Sequence, residues 1–322
     1  MAKEIEFFDN SDVTSVEDYW NDHTVQDESF ANAEESDAYL DWRASLYPLM
    51  TDLMKLYEPH KGEIVLDYGC GPGDDFIGYM RHSEADCVIG MDVSLKALGL
   101  LSRRIDLYNF ERNYRLIKIS DSIPTIPLDD GSVDHIHSSG VVQHTSSPEI
   151  ILKEFHRVLA SGGTATIMVY NRDSIWFHLF AIYERMIRKG HFEGLSAEEA
   201  FARTTDGEDC PQSRCYTFDS FSAICAEAGF SVKYMGGYMS LRDIDICTRL
   251  YDKALQDDRI PEDTREFLTG LTFDINDYPA KRTDDWYGRE VSWGLDKGDK
   301  GYPKSRGYYA GIGGVYHIRK NG

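Results

Sequence analysis

Two carboxylates and a glycine-rich turn are the residues of this chain whose types and spacing could do chemistry. An apolar run ends at Asp67 and enters the turn Gly69-Cys70-Gly71-Pro72-Gly73. Glycines at alternate positions let a backbone adopt positive φ and approach a ligand closely. A second apolar run ends at Asp92, 25 residues after Asp67. That spacing suits a carboxylate that accepts the hydroxyls of a ribose, so the pattern predicts a nucleotide-type cofactor site.

Alternating strands and helices must position these residues. We predict strands at 63–68, 86–92, 113–120, 133–138 and 163–171, with helices at 74–82, 94–109 and 147–160. This alternation is typical of an α/β fold with a doubly wound, mostly parallel sheet and helices on both faces. In such sheets ligands bind at the carboxyl ends of the strands, which is where Asp67, Asp92, Asp121 and Ser139 fall.

Four regions are predicted along the chain. Residues 1–58 would form an N-terminal helical lid, with a helix over 36–58 that bends near Pro48. Residues 59–172 would form the core that binds the cofactor. Residues 173–306 would form a cap or substrate region that includes a sixth strand at about 230–237, and 307–322 would supply the last strand of the core sheet. Ser196 and Glu199 have the spacing of a helix capping box.

The composition restricts the partners. The chain has 322 residues and a formal net charge of −21, which disfavours nucleic-acid substrates because the phosphates would be repelled. It has no apolar stretch long enough to cross a membrane and no apolar signal segment, so we expect a soluble, cytoplasmic protein. The six cysteines are scattered, which favours buried thiols over disulfides or a zinc site.

Several motifs in order resemble the class I S-adenosylmethionine-dependent methyltransferases over residues 60–170. The segments that carry the resemblance are the glycine turn, 90–94, 121–122, 131–139, 154–159 and 161–163. The resemblance implies a Rossmann-like fold and a protein that binds S-adenosylmethionine and releases S-adenosylhomocysteine, with no metal. A nicotinamide-binding protein would have a third glycine at the position of Asp74, which argues against that class.

The resemblance also implies contacts with the cofactor. Asp67 would bind the methionyl amino group and Asp92 the ribose hydroxyls. Asp121 would accept from the adenine amino group. The remaining implied contacts are Gly69 and Gly71 beside the methionyl portion, Ser139 at its end, and the backbone N–H of Ser122 on the adenine ring.

A looser resemblance concerns the N-terminal helices of methyltransferases that fold a lid over the site. It implies that Tyr39 and Arg43 contact the cofactor, Arg43 through a bidentate pair with the methionyl carboxylate. The alternative is that Tyr39 packs in the helix core and that Arg43 is solvated.

Candidates for catalysis and substrate binding follow the fourth and fifth strands. His144 could act as a general base, since the pKa of histidine suits proton transfer near neutrality; the alternative is a pocket-lining role. Tyr170, Arg172 and Arg214 could bind the substrate, the arginines through an anionic group. The alternative for both arginines is a surface ion pair.

The leading hypothesis is therefore an enzyme that methylates oxygen or nitrogen of a small polar metabolite, such as a sugar or an amino-acid derivative. Within enzymes, methylation of sulfur or of a protein stays open. From another class, the chain could be a catalytically inactive S-adenosylmethionine-binding scaffold or regulatory protein. An oligomer is compatible with the sequence, which does not identify the methyl acceptor.

Overall fold

The computed structural model describes residues 4–8, 14–25, 27, 29–274, 282–294 and 300–321. Its strands are β1 (Glu6–Phe7), β2 (Ile64–Tyr68), β3 (Cys87–Asp92), β4 (Asn113–Lys118), β5 (Val133–Ser139), β6 (Leu159–Asn171), β7 (Cys215–Tyr216), β8 (Phe230–Tyr238), β9 (Thr272–Asp274), β10 (Arg282–Asp284), β11 (Glu290–Trp293), β12 (Tyr302–Ser305), β13 (Tyr308–Tyr309) and β14 (Gly313–Lys320).

The described residues also form ten α-helices. They are α1 (Ser15–Asp22), α2 (Ala33–Leu46), α3 (Met50–Met54), α4 (Asp74–His82), α5 (Leu95–Ile105), α6 (Pro148–Val158), α7 (Ala197–Asp206), α8 (Phe218–Glu227), α9 (Leu241–Leu255) and α10 (Glu262–Thr269). A 3₁₀ turn spans Val142–His144, and a helix with π-type hydrogen bonding spans Trp176–Arg188.

Nine strands form the main sheet, in the order β1-β4-β3-β2-β5-β6-β14-β8, with β7 paired to β6. All pairs are parallel except those of β14, which runs antiparallel to β6 and to β8. The strand order reverses between β3 and β5, on either side of β2, which is where such sheets bind ligands. The predicted doubly wound, mostly parallel α/β fold is confirmed.

The central strands are apolar on both faces because helices cover both. Leu66 of β2 packs in a layer with Phe155 of α6 and Phe221 of α8. Val65, its neighbour on the same strand, faces the opposite layer, which contains Phe76 of α4. Continuous apolar runs are typical of such doubly covered strands, which explains why the sequence predicted them well.

Several elements differ from the sequence prediction. Residues 173–203, part of the predicted cap region, form two helices separated by Gly190 and Gly194, whose φ values are +65° and +82°. The capping box of Ser196 and Glu199 is confirmed. Residues 241–306, expected as helix and loop, also contain the short strands β9 to β12. The expected last strand is divided into β13 and β14 around 310–312.

The sixth strand is present as β8, and the helix expected over 36–58 ends at Leu46 and resumes at Met50, on either side of Pro48. The division into lid, core and cap stays a prediction. All six cysteines lie in described residues, and none of them forms a disulfide. Within the described residues no helix has both the length and the apolar character needed to cross a membrane.

Candidate functional site

An open cavity of about 750 Å³ lies at the carboxyl ends of β2, β3 and β5. Five of the predicted cofactor residues line it, together with the catalytic candidate: Gly69, Gly71, Asp92, Asp121, Ser139 and His144. Helix α1 contributes Val16 and Trp20 to its wall. The Ser94 hydroxyl donates to Asn21 Oδ1 at 2.9 Å and so holds this helix against the start of α5.

The glycine turn forms one wall of the cavity and depends on positive φ. Gly69 and Gly71 have φ values of +78° and +51°. A Cβ atom on Gly69 would lie 2.2 Å from Cγ2 of Val141, whereas a Cβ on Gly71 would have no heavy atom within 4 Å. Gly69 is therefore required by packing of the protein itself, and Gly71 leaves space that opens to the cavity.

Asp92 ends β3 with its carboxylate held by two backbone amides. Its Oδ2 accepts from the Gly71 N–H at 2.8 Å, and its Oδ1 accepts from the Ser94 N–H at 2.7 Å. Burial raises the pKa of this carboxyl, and these hydrogen bonds oppose the rise. The two amides fix the direction of a carboxylate that lines the cavity, which suits binding of ribose hydroxyls.

Asp67 is the second buried carboxylate beside the glycine turn. Its Oδ2 has no hydrogen-bond partner among the described residues, and the residue is 2% exposed. Burial raises the pKa of this carboxyl to about 7, and the nearby His137 lowers it only in part. A buried oxygen without a partner is costly, so a ligand that brings a cationic amino group would stabilise it. The unpartnered Oδ2 of Asp67 therefore suits the methionyl amino group of the cofactor.

Asp121 lies at the other end of the cavity. Its carboxylate accepts from the Ser146 N–H at 3.0 Å and from the Ser146 hydroxyl. Ser122 lies behind it, with its N–H donating to Ser120 Oγ at 3.3 Å. Neither bond excludes a further contact of Asp121 with an adenine amino group, since each carboxylate oxygen accepts more than one hydrogen bond.

Glu17 of α1 is a buried acid that its sequence context did not single out. It accepts from Lys118 Nζ at 3.0 Å, from the Ser120 hydroxyl at 2.5 Å and from the Asp121 N–H at 3.2 Å. Because Glu17 is an acidic residue in a polar, acidic segment, nothing in the sequence indicates that it is buried. These bonds hold α1 over the part of the cavity that Asp121 lines.

Arg43 and Tyr39 lie beside the cavity rather than in its wall. Arg43 donates to Asp75 Oδ1 at 2.7 Å, and Asp75 Oδ2 lies 2.9 Å from His137 Nε2. Tyr39 is buried and packs against the ring of Trp286, 5.3 Å between centroids. These contacts agree with the alternative of helix packing for Tyr39 and give Arg43 an acidic partner. Contact of either residue with the cofactor stays a prediction.

His144 lines the cavity beyond Ser139 and has one free ring nitrogen. Its Nδ1 lies 2.7 Å from the Gln212 carbonyl oxygen, which can only accept, so Nδ1 carries the proton. Its Nε2 therefore has the lone pair, and it has no hydrogen-bond partner among the described residues. Burial lowers the pKa of this imidazole. The ring lies between Trp20 and Tyr170, with centroids at 4.9 and 5.3 Å.

The end of α7 packs against His144 through Asp206, the last residue of that helix. Oδ1 of Asp206 lies 4.0 Å from His144 Nε2 and accepts from the Tyr170 hydroxyl at 2.8 Å. Its Oδ2 accepts from the Ser213 hydroxyl at 2.6 Å. The donor atoms of His144, Asp206 and Cys210 lie within 4.8 Å of one another, so these three could hold a metal ion. The expectation of no metal stays a prediction.

The two candidate arginines are both engaged by the protein. Arg214 donates to the Thr145 carbonyl at 2.8 Å and to the Gln143 carbonyl at 3.3 Å, which fixes its loop beside His144. Arg172 pairs with Glu198 at 2.9 Å and with Asp263 at 3.2 Å, as the alternative of a surface ion pair expects. Substrate binding by Tyr170, Arg172 and Arg214 stays a prediction.

Comparisons with known proteins agree with this geometry. Residues 65–163 match the family model described as a methyltransferase domain. A malonyl-[acyl-carrier protein] O-methyltransferase of Marinomonas is 27% identical over 157 residues, 47% of this chain and 55% of that protein. An uncharacterized 37.1 kDa protein in transposon TN4556 of Streptomyces fradiae is 32% identical over 126 residues, 38% of this chain and 34% of that protein. The chain thus spans between a third and somewhat more than half of the length of these curated relatives.

Solved structures share the fold. A chain from the complex of the Haloferax volcanii Trm112 methyltransferase activator with a methyltransferase candidate superimposes with a TM-score of 0.51 at 14% identity, over 95% of this chain and 98% of that one. Phosphoethanolamine N-methyltransferase 2 of Haemonchus contortus, solved with S-adenosylhomocysteine, gives 0.50 at 14% identity over 96% and 61%. The domain match, the relatives and the sheet order support a class I S-adenosylmethionine-dependent methyltransferase domain at residues 65–163, and they support S-adenosylmethionine as its cofactor.

Proposed function

We propose that this protein transfers a methyl group from S-adenosylmethionine to an oxygen or nitrogen atom of a small polar metabolite. The observation that carries the proposal is the cavity, which the carboxylate residues Asp92 and Asp121 line together with His144. When bound, the cofactor supplies an electrophilic methyl carbon for in-line displacement. The chain's own residues then have to bind, align and exclude water.

Three carboxylates divide the binding of the cofactor. Asp92 accepts the ribose hydroxyls with a carboxylate that the Gly71 and Ser94 amides hold in place. Asp67 pairs its free Oδ2 with the methionyl amino group. Asp121, beneath α1, accepts from the adenine amino group. Charge-assisted hydrogen bonds of this kind are about twice as strong as neutral ones, so each should contribute measurably to affinity.

His144 acts as the general base in this proposal. A protonated oxygen or nitrogen nucleophile loses its proton as the methyl group arrives, and a lone pair must receive that proton. Nε2 has the lone pair because the Gln212 carbonyl fixes the proton on Nδ1. Asp206, at 4.0 Å from Nε2, would stabilise the imidazolium that forms.

The Marinomonas relative is by name an O-methyltransferase, which supports an oxygen nucleophile here. Methylation of sulfur or of a protein, and a scaffold without catalysis, are the competing functions. The scaffold would need the same cofactor cavity but no base, so the free Nε2 favours the enzyme.

Incubation of the protein with methyl-labelled S-adenosylmethionine and a metabolite extract tests the proposal. We expect label in a small molecule together with release of S-adenosylhomocysteine. His144→Ala should lower turnover about 100-fold or more and leave cofactor affinity nearly unchanged, whereas the exposed His191→Ala should change neither. Tight cofactor binding without transfer in any extract would favour the scaffold, and unchanged turnover in His144→Ala would remove this residue from the mechanism.

A further inference from the structure

A second cavity, of about 400 Å³, lies where β6 ends beside the turn that joins β12 to β13. Its wall shares no residue with the cofactor cavity. Ligand sites of proteins are commonly lined by apolar and aromatic side chains with a few polar groups, which is the character of this wall. The residues that line it are Asn171, Asp173, Phe218, Tyr234, Ser305, Arg306, Tyr308 and Tyr309.

Asp173 and Arg306 give this cavity one negative and one positive group. Within the part of the chain that the structure describes, neither side chain has a hydrogen bond or an ion pair, and the two do not pair with each other. Burial raises the pKa of Asp173, and the Arg306 charge is close enough to lower it in part. One ligand that carries a positive and a negative group could therefore pair with both Asp173 and Arg306.

Arg306 is an exposed arginine of a chain that has 55 acidic against 34 basic residues. Arg172, Arg214 and Arg43 all have partners in the protein. Arg306 instead lies in the β12–β13 turn with a φ of +51°, a backbone conformation that is costly for a residue with a side chain. The turn thus presents a free guanidinium at the cavity.

Aromatic rings form the wall between the two charges. Tyr234 lies 5.3 Å from Phe218 and 5.0 Å from Tyr308 between ring centroids, the second pair edge to face. Phe218 and Tyr308 stay 38% and 44% exposed, so their rings are open to a ligand. Rings beside a carboxylate bind ammonium groups through cation–π attraction and also bury apolar side chains.

We propose that this cavity is a second binding site, for a small zwitterion of the amino-acid type. The ammonium group would pair with Asp173, the carboxylate with the Arg306 guanidinium, and the side chain would lie against Phe218, Tyr234 and Tyr308. The proposal does not depend on methyl transfer, since the cofactor cavity has a separate wall.

Calorimetric titration tests the site with three probes that share a phenyl group. L-phenylalanine has both charges, 2-phenylethylamine only the ammonium and 3-phenylpropionate only the carboxylate. We expect L-phenylalanine to bind most tightly. Asp173→Asn should weaken L-phenylalanine and the amine about tenfold or more but not the acid, and Arg306→Gln should weaken L-phenylalanine and the acid but not the amine.

Matched controls separate these effects from a general change of charge. Asp258→Asn removes one exposed acid between α9 and α10, and Arg249→Gln removes an exposed arginine on α9. Both controls should bind all three probes as the unaltered protein does, and circular dichroism checks that each variant is folded. Absence of L-phenylalanine binding at about 10 mM, or equal binding in Asp173→Asn and Arg306→Gln, would overturn the proposal.

Discussion

Alanine at Gly69 and alanine at Gly71 should have different effects. We expect the fold to require the first glycine and cofactor binding to require the second. Both positions have positive φ, so alanine at either costs about 1–2 kcal/mol of backbone strain. At Gly69 the new Cβ would also lie 2.2 Å from Val141 Cγ2, and overpacking of this kind typically costs about 1–3 kcal/mol more. At Gly71 the new Cβ meets no protein atom within 4 Å.

The two variants should therefore fail in different assays. Gly69→Ala should lower the free energy of unfolding by about 2–5 kcal/mol, measured by urea denaturation. Val141→Ala in the same chain should recover only part of the packing loss, because the Val141 Cβ, which alanine keeps, would lie 2.9 Å from the new atom. Gly71→Ala should lose only about 1–2 kcal/mol of stability. Its methyl group would occupy space where the cofactor lies, so affinity for S-adenosylmethionine should fall by about 1–3 kcal/mol, roughly 5- to 150-fold by calorimetry.

Two results would refute this reasoning. If Gly71→Ala binds S-adenosylmethionine as tightly as the unaltered protein, the open space beside Gly71 is not the cofactor's. If both variants lose the same stability, the contact with Val141 is relieved at little cost. Gly69 would then be required only for its positive φ.

Three further predictions concern charged residues of the site. Asp92→Asn should weaken S-adenosylmethionine binding by about 1.5–3 kcal/mol in calorimetry, while Asn at the exposed Asp86, just before β3, should not. The pKa of Asp67 is raised from 3.8 to about 7 in the native state. Between these two pH values the Asp67 carboxyl therefore stays protonated in the native state but ionises in the unfolded state. Stability should therefore fall as pH rises from about 4 to 7, by up to about 4 kcal/mol, and urea denaturation of Asp67→Asn should lack this fall. Arg214→Ala frees the loop beside His144 and should lower kcat without changing cofactor affinity; a parallel loss of affinity would contradict a role confined to the acceptor side.

The cofactor side of this protein could be predicted from the sequence because its signals are local. Strands buried on both faces are continuous apolar runs, and their carboxyl ends mark where Asp67 and Asp92 lie. Glycine at positions 69 and 71 has a local reason, which is the positive φ of both residues. Only the close approach of Gly69 to Val141 depends on a distant residue. The order of these features along the chain was therefore sufficient for the fold and the cavity.

Contacts between distant segments could not be predicted in the same way. Arg43 looked free for a carboxylate because nothing local showed that Asp75, 32 residues later, would pair with it. Glu17 is buried only because α1 packs over Ser120, more than 100 residues away. Asp206 lies near His144 only because the end of α7 packs against the residues that follow β5. Such pairs depend on tertiary packing, which overrides local residue type.

Titration of the purified protein with S-adenosylmethionine and, separately, with NAD is the most direct measurement of what the cavity binds. Both ligands have an adenosine portion, but only the first has the methionyl amino group that fits Asp67. We predict one S-adenosylmethionine bound per chain, weakened in Gly71→Ala and Asp92→Asn, and no comparable binding of NAD. Binding of NAD without S-adenosylmethionine would contradict the assignment of the cavity.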